Sequence, residues 1–164
     1  MKAGIGGGVI SQGEVETAVE RARSLASEWG VEILLMDADV VFGKVHIETA
    51  IEHADRAFER GKNVADARMM EVMLYASGER QLSSAIQKMG IRETTRRVAV
   101  AVSVASRLDD VIEKLGVTRD DTVLEGGAKD LRRFGINVKS VKSVGKGRGY
   151  ELVLEKVALV DLTK

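Results

Sequence analysis

The sequence predicts a single α+β domain, and three observations predict it. Apolar residues recur at three- and four-residue steps over 15–29 and again over 44–60, a short apolar run at 31–36 ends at turn-prone aspartates, and valines alternate with small residues over 97–104. A chain of 164 residues buries a sizeable core without disulfides or a metal, and no linker or internal repeat divides it, so residues 1–164 are expected to form one unit. Charge makes up 30% of the residues, with 25 basic against 25 acidic, so any attraction to a polyanion must come from a local patch. Cysteine is absent, which removes disulfides, thiolate metal sites and cysteine nucleophiles. No run approaches the roughly 18 apolar residues of a membrane span, and Met-Lys-Ala-Gly-Ile is too short and glycine-rich for a secretory signal. A soluble cytoplasmic protein is expected.

Ser11-Gln-Gly-Glu14 reads as a capping box opening the first helix, in which Val15, Ala18, Val19, Ala22, Leu25, Ala26 and Trp29 form one stripe that Gly30 ends. Residues 31–36 follow as a buried strand. A second helix places Ile47, Ala50, Ile51, Ala54, Ala57 and Phe58 inward and stops at Gly61. Residues 64–75 leave almost no polar face, so this helix is expected to be surrounded by other elements. In the next helix Leu82, Ala85, Ile86 and Met89 point inward before Gly90. Residues 97–104 have the period of a strand with one bulky and one thin face. Leu108, Val111, Ile112 and Leu115 mark a short helix, residues 122–125 a strand, and residues 128–134 another short helix. Residues 137–150 carry Lys139, Lys142, Lys146 and Arg148, no acid and three glycines, which reads as a mobile basic loop. The terminal segment 150–162 puts Val153, Val157 and Val160 on one helical line, Leu152 and Leu159 on a second, and Leu154 and Ala158 on a third. Helix and strand both remain open for it. Either way, a single neighbour cannot cover so much apolar surface.

Candidate sites are few. Gly4-Ile-Gly-Gly-Gly8 matches neither phosphate-binding glycine motif and reads as a plain turn, although a phosphate- or nucleotide-binding enzyme built on it is the rival reading. His46 and His53 stand seven apart, too far for one ion on one helix, and read as surface or capping residues, so no metal is implied. Asp37 and Asp39 are expected to bond their own backbone at the strand end. Tyr75-Ala-Ser-Gly-Glu-Arg-Gln81 differs in kind. It turns between two helices, with Ser77 and Gly78 as caps, and leaves Arg80 and Gln81 at a helix start where a phosphate can be held, with Lys62, Arg68 and Lys88 able to share that side.

Val41-Phe-Gly-Lys-Val-His46, residues 54–63, Tyr75-Ala-Ser-Gly-Glu-Arg-Gln81 and Ile86-Gln-Lys-Met-Gly90 together resemble one family. It is the small kinase-binding subunit of the KEOPS complex, the archaeal counterpart of the PRPK-binding protein. Val123-Leu-Glu-Gly126, Arg133-Phe-Gly-Ile136 and Glu155-Lys-Val-Ala-Leu-Val-Asp161 extend the likeness over nearly the whole chain. The resemblance implies a helical bundle packed on a small, mostly antiparallel sheet. It also implies a non-catalytic regulatory role, without cofactor or small-molecule substrate, in making threonylcarbamoyladenosine on tRNA. Two partners follow from it. The small atypical kinase would dock on Ile47, Ile51, Val153, Val157, Leu159, Val160 and Leu162. The single-stranded 3′ end of tRNA would meet Lys62, Arg68, Tyr75, Ser77, Gly78, Glu79, Arg80, Gln81 and Lys88.

Overall fold

The computed structural model describes residues 1–127, 129–145 and 147–163. Four antiparallel strands form one sheet in the order β2-β3-β1-β4, with β1 Gly4–Val9, β2 Ile33–Asp37, β3 Arg97–Val102 and β4 Thr118–Arg119. Helices cover both faces, so the expected α+β domain is present as three layers. On β3 the period-two pattern sets the division. Val98, Val100 and Val102 pack with helices α1 (Val15–Trp29) and α5 (Leu108–Leu115), while Ala99 and Ala101 face the larger helical layer. That layer holds α2 (Lys44–Glu59), α3 (Arg68–Ser77), α4 (Leu82–Met89) and α7 (Gly149–Thr163). Among the described residues, no helix is long and apolar enough to cross a membrane.

The expected central helix is α3, which runs against α2, α4, α7 and β2 with eight of its ten residues buried. Its start is later than the apolar run suggests. The carboxylate of Glu71, itself buried, accepts from the backbone N–H of Val64 and Ala65 at 2.9 and 2.8 Å, and Glu32 accepts from Met69 at 2.7 Å. The Glu71 bonds hold the connector ahead of the helix, and Glu32 satisfies one of α3's first free N–H groups, that of Met69.

Several sequence expectations are corrected. The glycine run is a strand: β1 pairs with β3 over its full length, from Gly4 opposite Val102 to Val9 opposite Arg97. Glycine is required there by close approach, since a Cβ on Gly7 would lie 2.5 Å from Val123 Cγ2, and one on Gly8 would strike the Thr118 carbonyl. Residues 122–125 form no strand, because the Asp120 side chain accepts from Thr122 N–H at 3.0 Å and closes a 3₁₀ turn, Asp121–Leu124, whose Val123 packs over β1. The capping box is not formed, for α1 begins after Glu14 with no side-chain cap. Ile86 is 46% exposed rather than inward. Within the segment read as a loop, Asn137 caps a helix, α6 (Val138–Val144), by accepting from Ser140 N–H at 2.7 Å. Lys146 of that segment and Ala128, where a helix was expected to begin, lie outside the described residues; Leu131–Phe134 is a 3₁₀ turn ending at Gly135.

Candidate binding surfaces

The terminal segment is a helix, and its position follows from its three apolar lines. Val153, Val157 and Val160 face inward onto α2 and α3 and are buried. Leu152 and Leu154 are half-buried, while Ala158, Leu159 and Leu162 stay outside, Leu159 at 44% and Leu162 at 80% exposure. The prediction that one neighbour cannot cover this helix therefore holds, but it corrects the docking set. Ile47, Ile51, Val153, Val157 and Val160 are all covered by the chain's own atoms, so the exposed apolar ridge reduces to Leu159 and Leu162 with Ala158.

The turn between α3 and α4 sorts its residues in the same way. Gly78 caps α3 at φ 70°, and the buried Ser77 hydroxyl donates to the Leu74 carbonyl at 2.8 Å and accepts from Glu79 N–H at 3.2 Å. Both are structural. Tyr75 is buried with 1% exposure, its ring 5.3 Å from that of His53 and its hydroxyl donating to Asp161, so the expected stacking surface for a base is absent. Burial, then the hydrogen bond to Asp161, pushes the phenol well above its usual range. Arg68 pairs with Asp55 at 2.8 Å and lies over the Phe58 ring, and Lys88 donates to the Ser77 carbonyl at 2.7 Å and to Glu79 at 3.1 Å while sitting 4.1 Å from the Phe134 ring. Burial lowers the Lys88 ammonium, and Glu79 pulls in the opposite direction. Tyr75, Ser77, Arg68 and Lys88, expected at the tRNA surface, are thus committed to the fold.

Arg80, Gln81 and Lys62 remain exposed. Gln81 stands at the N-cap of α4 without capping it by its side chain, and the Arg80 guanidinium reaches the Thr163 carbonyl at 3.4 Å, at the negative end of α7. Next to Asp161 in that same last turn is a cavity of about 340 Å³ lined by Arg56, Arg60, Lys62, Val64, Tyr75 and Asp161. Asp161 also meets His53 Nδ1 at 2.7 Å, a side-chain pair that ties α7 to the middle of α2 and caps neither helix, so the capping role expected for His53 is not seen. His46 departs from the surface role expected for it. It is fully buried, with Nδ1 accepting from Phe42 N–H at 3.1 Å and Nε2 donating to the Ala76 carbonyl at 2.7 Å, and burial pulls its pKa down to about 4. Asp37 accepts from Asp39 N–H at 2.9 Å, as the sequence suggested. Arg56 and Arg60 were missed. They stand four apart at the end of α2, two residues before Lys62, a spacing that puts them on one face.

Fold and surface together define a helix-on-sheet binding module, with an apolar ridge and a cationic cavity sharing the last turns of one helix. The family model described as "Kinase binding protein CGI-121" matches residues 12–144. The curated "Regulatory protein Cgi121" of Methanocaldococcus jannaschii is 32% identical over 135 residues, covering 82% of this chain and 87% of that protein. The chain belongs to the CGI-121 family of kinase-binding regulatory proteins.

Proposed function

We propose that the chain is the non-catalytic subunit that docks on the small atypical kinase of the KEOPS tRNA threonylcarbamoyladenosine complex and holds the 3′ single-stranded end of tRNA. The observation that carries the docking half is the uncovered ridge of α7: after Val153, Val157 and Val160 are buried, Leu159 and Leu162 are left in water on a rigid helix. Such aliphatic anchors make the core of a protein interface. Family membership supports a kinase as the occupant.

The RNA half rests on Arg80, Gln81 and Lys62, joined by Arg56 and Arg60 around the cavity at Asp161. Single strands bind through backbone charge, and stacking would have to come from guanidinium planes because Tyr75 is buried. The rival reading, an enzyme using the glycine run, loses support because β1 is paired in the sheet and Gly7 N–H is taken by Asp121 at 2.8 Å.

Two measurements test the proposal. In pull-down with the kinase, Leu159→Arg and Leu162→Arg abolish capture while thermal melting stays within a few degrees of the parent; retained capture refutes docking through α7. In filter binding, Arg80→Glu weakens tRNA at least tenfold, and removal of the 3′ single-stranded end from the tRNA does the same. Equal affinity for intact and trimmed tRNA refutes the RNA half alone.

A further inference from the structure

Lys129 belongs to neither surface. Its Nζ donates to the carbonyls of Val41 at 2.5 Å and Val123 at 2.6 Å, tying the turn before α2 to the 3₁₀ turn over β1. An amine nitrogen has four tetrahedral positions. Cε takes one and the two carbonyls take two through N–H bonds, leaving the fourth uncommitted to main chain. Lys129 also lines a cavity of about 470 Å³ together with Arg97, Arg133 and Thr122. Both guanidiniums are engaged with acids: Arg97 meets Asp39, and Arg133 reaches Asp37 at 3.0 Å and Asp39 at 3.5 Å. Each guanidinium has five N–H donors, so these contacts leave donors for a further oxygen.

We propose that Lys129 is a carbon dioxide acceptor, forming a carbamate that Arg97 and Arg133 hold within this cavity. The Nζ lone pair attacks the carbon of CO2, one C=O electron pair moves onto oxygen, and the nitrogen gives one proton to water. The free amine and CO2 thus yield the carbamate anion and a proton, with no other reactant. The free amine is present because burial, and then the Arg97 charge, pull the Lys129 pKa down to about 8 against the opposing pull of Asp39, Asp37 and Glu125. Near pH 7.4 about one side chain in five is then neutral, against about one in a thousand for an ordinary lysine. Asp39, Glu125 and Asp130 also line the cavity and oppose a new anion, which is why both guanidiniums are needed. The carbamate nitrogen keeps a single hydrogen, so one of the two carbonyl bonds is released and modification loosens the seam between Val41 and Val123.

The test uses the unmodified chain with 13C-labelled bicarbonate at about pH 7.4, trapping by triethyloxonium and peptide mass spectrometry. Lys44, whose side chain is 60% accessible, is the internal reference. The expected result is labelling of Lys129 at least tenfold above Lys44, falling severalfold at Lys129 alone in Arg97→Gln. Equal labelling of the two lysines in the parent chain overturns carbamate formation. Undiminished Lys129 labelling in Arg97→Gln overturns the holding role of the guanidinium.

Discussion

His46 and Glu71 are polar groups wholly inside the protein, and each is kept there by main-chain partners. His46 accepts from Phe42 N–H and donates to the Ala76 carbonyl, an arrangement only the neutral ring can make. Its folded pKa of about 4 lies below the ordinary 6.5, so the unfolded chain takes up a proton that the folded chain refuses. Stability from this residue is complete above pH 6.5, is lost as pH falls toward 4, and levels off below that. The loss reaches about 2 kcal/mol at pH 5. Denaturant titrations at several pH values check it: His46→Leu, though less stable overall, shows a shallower slope between pH 6.5 and 4 than the parent. Glu71 holds two backbone N–H groups at 2.9 and 2.8 Å without water access. Glu71→Ala strands both donors, and its expected cost is about 3 kcal/mol in chemical denaturation, with the 64–67 connector losing hydrogen-exchange protection first.

At the scale of elements, α7 joins a structural face to an exposed one, and variants on the two should separate cleanly. Val157→Arg drives a charge among α2 and α3 side chains and is expected to cost at least about 3 kcal/mol, because Asp161, one turn on, is already held by His53 and Tyr75. Leu162→Arg adds a charge where 80% of the residue already meets water, and its melting temperature should match the parent. Circular dichroism melts of the pair check this. Sequence reading did not make that distinction. Periodicity placed α1, α2, α4 and α5, since each carries one apolar stripe ended by glycine, an almost wholly apolar run placed α3, and the valine alternation placed β3. It was silent where the signal is tertiary. A strand of glycines has no side-chain pattern, and β1 exists because α5, β4 and the 3₁₀ turn come too close for Cβ atoms. A helix apolar all round shows that it is covered, not on which side. The same limit governs the site. The position of Arg80 and Gln81 at a helix start was legible from cap chemistry, whereas Tyr75 and Lys88 look like surface residues until the packing of α7 and the Phe134 ring is seen.

Across the whole molecule, charge is balanced at 25 to 25, so no overall field draws a polyanion. Attraction to RNA must come from the cations that surround the end of α7: Arg80 at the Thr163 carbonyl, and Arg56, Arg60 and Lys62 around Asp161. If three of these meet phosphates, log affinity should fall against log salt with a slope of about −2, since a single strand releases about 0.7 counterion per neutralised phosphate. Arg80→Glu should remove one such contact and flatten the slope by about 0.7, or more if the new carboxylate repels the strand. Kinase docking through Leu159 and Leu162 has no such ion release, and its affinity should change little over the same range. The two responses must be measured on one preparation because the same helical turn serves both surfaces. Asp161 anchors that turn to His53 and Tyr75, and Leu162 is its immediate neighbour. Asp161→Ala loosens both anchors at once. It is therefore expected to weaken kinase capture through loss of helix order while steepening the salt dependence of RNA binding, because it takes an acid out of the cationic cavity. Salt titrations of the parent and Asp161→Ala, read by filter binding for RNA and by calorimetry for the kinase, decide whether one turn supports two separable surfaces. A parallel shift of both curves would mean a single shared surface instead.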